Sequence, residues 1–449
     1  MTDSVRRDVG TRPLRLAPFR ALRYAPDQVA DLAAVTCPPY DVIGETGVAA
    51  WEAADPHNIV RLILPRPGSA EDRYAHAARD LRDWLRTGVL RRDHEAALYV
   101  YEQVSGAATA LGLVGAVSLH DPAEQVVLPH EDVLQGPVAD RAALMAATGA
   151  QLEPILLTYD GGGFASDTVD GTVRTPPLIE ATTADGAAHR IWRLTDPAVL
   201  TRIEADLAGR QALIGDGHHR YAAYRALHAG HDQRRDGVGA TDRAANGTAT
   251  ARGLSMLVDA SRHPLRIGSI HRTVSRLPIA EAVGKAAAAF RVVTAVSTGA
   301  DPLTALSDAG RAGTAYLLTD GRQWVLLAGL DPALVDAALP PERSPTWRRL
   351  DASIACELVL SRLWNVADTD DRVAYHHDVA GAVDSARRRD GVALLLNPVR
   401  HSDVLALAAH GERMPRKSTS FGPKPRTGLL MRLLTDPPAQ APGPASGHR

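Results

Sequence analysis

The heptad Gly215-Asp216-Gly217-His218-His219-Arg220-Tyr221 sets a carboxylate, two imidazoles and a guanidinium among glycines. An apolar run, Ala212-Leu213-Ile214, precedes it, and Ala222-Ala223-Tyr224-Arg225-Ala226-Leu227 follows with a helical pattern. A strand that turns into a helix at such a point makes an anion site. The first helical turn leaves N–H groups without helical acceptors, and the helix dipole favours negative charge there. Glycine allows a ligand to approach the backbone closely. A plain turn has little use for Asp, two His and Arg together, since each is costly to bury unpaired. The heptad therefore reads as functional rather than as a simple connection.

Three other segments carry chemistry. Pro38-Pro39 forces an extended lead into Tyr40-Asp41. Either these two side chains are presented on a stiff loop, or Asp41 caps the next helix. His130-Glu131-Asp132 follows Leu128-Pro129 and suits a metal or a proton. The alternative is a solvated acidic turn, with Arg141 one helical stretch later to pair with Glu131. Met414-Pro415-Arg416-Lys417-Ser418-Thr419-Ser420-Phe421-Gly422-Pro423-Lys424-Pro425 reads as an ordered loop without regular structure. It is basic and hydroxyl-rich, which suits phosphate oxygens. It lacks the glycine run of a P-loop. Only three of the 50 basic residues are lysines, Lys285, Lys417 and Lys424. Where arginine serves nearly everywhere else, two lysines in one short segment point to a need for a compact, mobile ammonium. Tyr375-His376-His377-Asp378 reads as a strand end or helix cap.

The elements that must position these groups follow from apolar periodicity. Strands are expected at 58–65, 154–159, 191–194, 253–259, 270–274 and 392–398. Hairpins are expected at 97–104 with 111–119, and at 314–318 with 323–327 through Asp320-Gly321. Helices are expected at 71–90, 197–210, 277–291, 349–364 and 403–410. Residues 160–188 read as loops and short strands, 229–252 as a long mobile loop, and 436–449 as a disordered tail. The expected fold is mixed α/β (α+β). An N-terminal lobe covers 13–252 and a C-terminal mixed α/β lobe covers 253–435. A cleft between lobes is a common ligand site, so Lys417 or Lys424 is expected near His218 and Arg220.

Bulk properties narrow the function. The chain has 449 residues, 45% hydrophobic and 23% charged, with a formal net charge of -2. That balance speaks against DNA as a partner. No apolar run is long enough for a membrane span, and no signal peptide is indicated at the N-terminus. Cys37 and Cys356 match no metal or redox spacing, so a cytoplasmic protein with free thiols is expected.

Taken in order, Pro38-Pro39-Tyr40-Asp41-Val42-Ile43, Pro129-His130-Glu131, the heptad, and Met414-Pro415-Arg416-Lys417-Ser418-Thr419 resemble the bacterial family called domain of unknown function 1015. Phe421, Pro423, Lys424, Thr427, Gly428 and Leu429 continue the resemblance, which runs over roughly 13–434. That family name implies no activity. The heptad alone also resembles the turn of the ParB/sulfiredoxin superfamily, which implies a ParB/sulfiredoxin-like core and a hold on nucleotide phosphates. Sulfiredoxin-like chemistry needs a cysteine where His218 stands, and partition proteins need a basic helix-turn-helix that is missing. Kinases acting on free serine are the remaining analogue. The resemblance implies a magnesium-dependent phosphotransferase using ATP or ADP on a small hydroxylated, serine-like substrate. In that reading the backbone of Gly215 and of Gly217 to Arg220, with His218, His219, Ser418, Thr419 and Lys424, holds phosphates. Asp216 holds Mg2+, Lys417 neutralises the transferring group, and Asp41 or Glu131 is the base. Tyr40, His130 and Arg141 support the site. One alternative is a non-catalytic nucleotide-binding regulator. A second is a metal-dependent hydrolase using His130, Glu131, Asp216, His218 and His219. The oligomeric state is open, a homo-oligomer included.

Overall fold

The computed structural model describes residues 12–66, 72–235, 249–297, 299–369 and 371–435. The chain forms two compact units. One comprises the described residues up to Pro129, Val133–Arg266, and those from Gly422 onward. The other comprises His130–Asp132 and Ile267–Phe421. Both mix helices with sheet, so the fold is mixed α/β.

The first unit is built on a nine-stranded mixed sheet. Its strands are β1 (Leu16–Ala17), β2 (Leu98–Ser105), β3 (Ala108–Ser118), β4 (Val127–Leu128), β5 (Ile155–Tyr159), β6 (Ile179–Thr182), β7 (Ala188–Leu194), β8 (Ala212–Asp216) and β9 (Arg252–Asp259). Their order is β4-β8-β5-β9-β3-β2-β7-β6, with β1 paired to β3. β8 runs parallel to β4 and antiparallel to β5, and β9 runs parallel to β5. β5 and β8 are buried along their whole length. This is why both read as unbroken apolar runs instead of alternating ones.

Helices α1 (Arg73–Arg86), α2 (Gln135–Thr148), α3 (Phe164–Thr172), α4 (Pro197–Leu207) and α5 (His218–Arg235) belong to the same unit. Asp72 and Asp196 cap α1 and α4 by accepting from first-turn amides. Ile155, Leu157 and Ile214 from the sheet pack with Val138, Met145, Ile203, Tyr221 and Tyr224 from the helices. A second cluster gathers Leu22, Val35, Ile59, Leu62, Leu81 and Trp84 around Met431. Met431 reaches it because the C-terminal segment is stitched in by backbone bonds. Leu22 and Met431 exchange N–H···O contacts of 2.8 and 3.1 Å, Cys37 and Thr427 do likewise, and Arg432 pairs with Gln151.

The second unit holds a six-stranded antiparallel sheet. Its strands are β10 (His271–Val274), β11 (Phe290–Ala295), β12 (Tyr316–Thr319), β13 (Trp324–Leu330), β14 (Val373–His376) and β15 (Val392–Leu396), in the order β11-β13-β12-β15-β10-β14. The β12–β13 hairpin turns at Asp320-Gly321, where Asp320 accepts from the amides of Arg322 and Gln323.

Several local expectations are corrected. Residues 58–65 form no strand: Val60–Ile63 is a helical turn, three of its four residues buried. Residues 160–188 contain the helix α3. Residues 229–235 continue α5, and 236–248 lie outside the described residues, as does the tail from 436. Residues 419–422 are a strand rather than irregular loop. Residue 253, the expected start of the second lobe, falls inside β9. No helix among the described residues is long and apolar enough to cross a membrane.

Candidate functional site

The heptad lies where the sequence pattern predicts, at the passage from β8 to α5. The pairing of β8 with β5 shifts register between Ile214 and Asp216, so Gly215 sits in a bulge. Gly217 has φ +93°, and a Cβ there would meet Ile155 Cγ2 at 2.7 Å. Both facts require glycine. The first amide bonded inside α5 is that of Tyr221, to Gly217 O at 2.8 Å. The amides of His218, His219 and Arg220 therefore have no helical acceptor.

Charged side chains converge on this turn from four segments of the first unit. Lys424 Nζ lies 2.7 Å from Asp41 Oδ2 and 2.5 Å from Asp216 Oδ1. Arg220 Nη2 holds the other oxygen of Asp216 at 2.5 Å, and its Nη1 donates to Pro154 O at 2.8 Å. Glu153 accepts from the Tyr40 amide at 2.9 Å. The Tyr40 ring lies below two guanidinium groups, with Arg141 4.5 Å and Arg220 5.9 Å from its centroid. The electrostatics follow from burial and charge. Burial opposes the Lys424 ammonium, but Asp216 and Asp41 outweigh it and hold the group above the ordinary lysine range. Arg220 is held the same way, by Asp216 first and then Glu153. Burial pushes the Glu153 carboxyl up, with Arg220 and Arg141 pulling back. Burial also lifts the Tyr40 hydroxyl to about 12. The space enclosed by Arg141, Glu153, Arg220 and Tyr224 is about 20 Å3, room for one water.

The remaining motifs meet in the second unit. His130 Nε2 lies 2.8 Å from Thr419 Oγ1, and Glu131 Oε1 accepts from the Ser418 amide at 3.2 Å. Ser418 Oγ donates to Pro415 O at 2.5 Å. Both hydroxyls expected to face phosphate are thus engaged, Ser418 within the loop itself and Thr419 with His130. Lys417 adopts φ +56°, a left-handed backbone that a side chain other than glycine seldom takes.

Residues 16–353 match the family described as a protein of unknown function, DUF1015. The chain belongs to the DUF1015 family. No curated protein matches the sequence. Among solved structures, the DUF1015 chain is similar to a free serine kinase in complex with AMP at 15% identity and a TM-score of 0.31, over 66% of this chain and 84% of that one. It is similar to SbnI from Staphylococcus aureus, truncated at its C-terminus, at 13% identity and a TM-score of 0.34, over 71% and 87%. A conserved hypothetical protein from Pyrococcus furiosus gives 14% and 0.31, over 66% and 87%.

Of the residues singled out in the DUF1015 chain, the structure brings Tyr40, Asp41, Arg141, Asp216, Arg220 and Lys424 together in the first unit. Asp41 caps no helix: it lies in a short 3-10 turn, and Gly44 precedes the next helix. Arg141 holds Asp140 and donates to Ile63 O at 2.6 Å. His219 Nε2 accepts from the Leu134 amide at 3.1 Å, which fixes that nitrogen as unprotonated and ties the residue to the start of α2. Lys417, Ser418, Thr419, His130 and Glu131 belong to the second unit. No three His, Cys, Asp or Glu side chains among the described residues come together as metal ligands. The five-residue metal cluster of the hydrolase reading is therefore not found among them. Asp216 is a poor fit for a metal, since both its oxygens already face cations. Glu153 escaped the sequence reading. It sits before Pro154 like a surface turn residue, and its partner Tyr40 is 113 positions away.

Proposed function

We propose that the first unit binds a nucleotide by its phosphates and passes a phosphoryl group to a small hydroxylated acceptor. One observation carries this reading: the Lys424 ammonium is held between Asp41 and Asp216 beside the amides that open α5. Phosphoryl transfer asks for charge neutralisation and positioning more than covalent chemistry. Arg220, almost fully buried, fixes Asp216, and Asp216 fixes Lys424. Lys424 neutralises charge on the phosphoryl oxygens. Asp41, the more exposed of its two carboxylate partners, takes the proton of the acceptor hydroxyl. That oxygen forms the new bond to phosphorus while the bond to the leaving phosphate oxygen breaks. ATP and ADP are the donors to try first. Magnesium would supply further neutralisation as part of the nucleotide complex, and no step here is assigned to it.

The test is transfer of label from nucleotide to a panel of hydroxylated metabolites, serine included, alongside a thermal-shift screen with and without magnesium. Asp41→Asn should abolish transfer while nucleotides still raise the melting temperature. The ion pair between Asp41 and Lys424 also favours a second reading, a nucleotide-binding regulator without chemistry. In that case Asp41→Asn changes neither binding nor any transfer. Absence of both transfer and thermal shift removes both readings.

A further inference from the structure

The second unit contains a cavity of about 1100 Å3, enough for a small organic molecule. Much of its wall is apolar, with Ile270, Leu330, Val335, Ile354 and Leu396 among the lining residues. Its charged groups are largely closed among themselves. Arg348 pairs with Asp336 at 2.8 Å, and Arg400 pairs with Asp403 at 2.9 Å.

Two lining residues are exceptions, Arg349, whose side chain is exposed, and Asp351. Asp351 opens the helical turn Asp351–Ile354, and no cation among the described residues pairs with it. Its carboxyl is pushed up to about 6 by burial, against a hydrogen bond from Thr314. Asn397, across the lining, is pinned by its bond to Leu306 O at 3.2 Å. A Cβ on Gly310 would strike the Asn397 amide nitrogen at 2.3 Å, so glycine is needed for that approach. A half-buried carboxylate without a cation costs free energy that a cationic ligand would recover.

We propose that this cavity binds an organic amine, its apolar body against the aliphatic wall and its ammonium on Asp351. The site lies wholly within the second unit and is independent of the phosphate reading. The carboxylate selects an ammonium over a hydroxyl of the same shape, and the volume of the cavity admits a body of more than a few carbons.

Calorimetry on the full chain with 2-phenylethylamine and hexylamine, each against its alcohol and its carboxylate counterpart, tests this. The amines should bind roughly tenfold or more tighter than the alcohols, the scale of a hydrogen bond to a charged partner. Asp351→Asn should remove that preference, and Thr346→Trp, which fills the cavity from a lining position, should remove binding altogether. Equal binding of amine and alcohol, preference for the carboxylates, amine binding that survives Asp351→Asn, or no binding at all each overturn the proposal. If Asp351→Asn fails to fold, the amine–alcohol comparison and Thr346→Trp decide alone.

Discussion

Lys424 bears two carboxylates on one ammonium, and only 13% of its side chain is exposed. Removing a cation from such a place costs more than the lost contacts, because Asp41 and Asp216 are left facing one another. Lys424→Met should lower unfolding free energy by roughly 3 kcal/mol, the scale of breaking a buried pair from one side. Adding Asp41→Asn should recover part of that loss, since the second change removes one of the stranded charges. Urea denaturation of the two single variants and the double variant measures the coupling. Simple additivity would mean that Lys424 and Asp41 do not interact in solution.

At the junction of β8 and α5, Gly217 carries both a positive φ and a contact distance that only hydrogen satisfies. Gly217→Ala should cost roughly 2 kcal/mol from left-handed strain and crowding against Ile155. A chemical melt within experimental error of the parent would show that the junction adapts. This junction was legible in the sequence because Ala212-Leu213-Ile214, the glycines and the helical run are all local signals. The hairpins at 98–118 and 316–330 were legible for the same reason, each joining two apolar runs through a short turn. Residues 58–65 were misread because a buried helical turn and a buried strand share one short apolar pattern, and length is the only arbiter. At the site, Asp41, Asp216, Arg220 and Lys424 stood out by residue type. Glu153 did not, because nothing in Leu152-Glu153-Pro154 announces burial or the distant amide of Tyr40. Nor could residue type say that Lys424 pairs with Asp216; that follows from where the chain goes after Phe421.

Across the molecule, each unit encloses a histidine kept neutral by its surroundings. His189, packed on Tyr101 and bonded to it at 2.9 Å, is lowered to about 4 by burial and by the charge of Arg426. His271 is lowered to about 4 by burial and by Arg272. Each must take up a proton more readily unfolded than folded. The stability they contribute is complete above pH 6.5, the ordinary value, and is lost as pH falls toward 4. The loss should approach about 3 kcal/mol per histidine. Urea midpoints measured from pH 7 to 4 should fall accordingly, and His189→Gln should flatten part of the slope. A flat profile in the parent protein contradicts both shifts. Truncation after Phe421 should unfold the first unit, which loses Thr427, Met431 and Arg432 from its interior, while leaving the second as a protease-resistant fragment. Resistance of both units in the truncated chain would show that the last segment is dispensable. The salt bridge from Asp41 to Lys424 joins positions 383 apart, with the entire second unit between them in sequence. On a ribosome, Asp41 emerges early and waits until the whole second unit has been made before its cation follows. A product terminated before Lys424 carries two carboxylates, Asp41 and Asp216, without the ammonium that joins them.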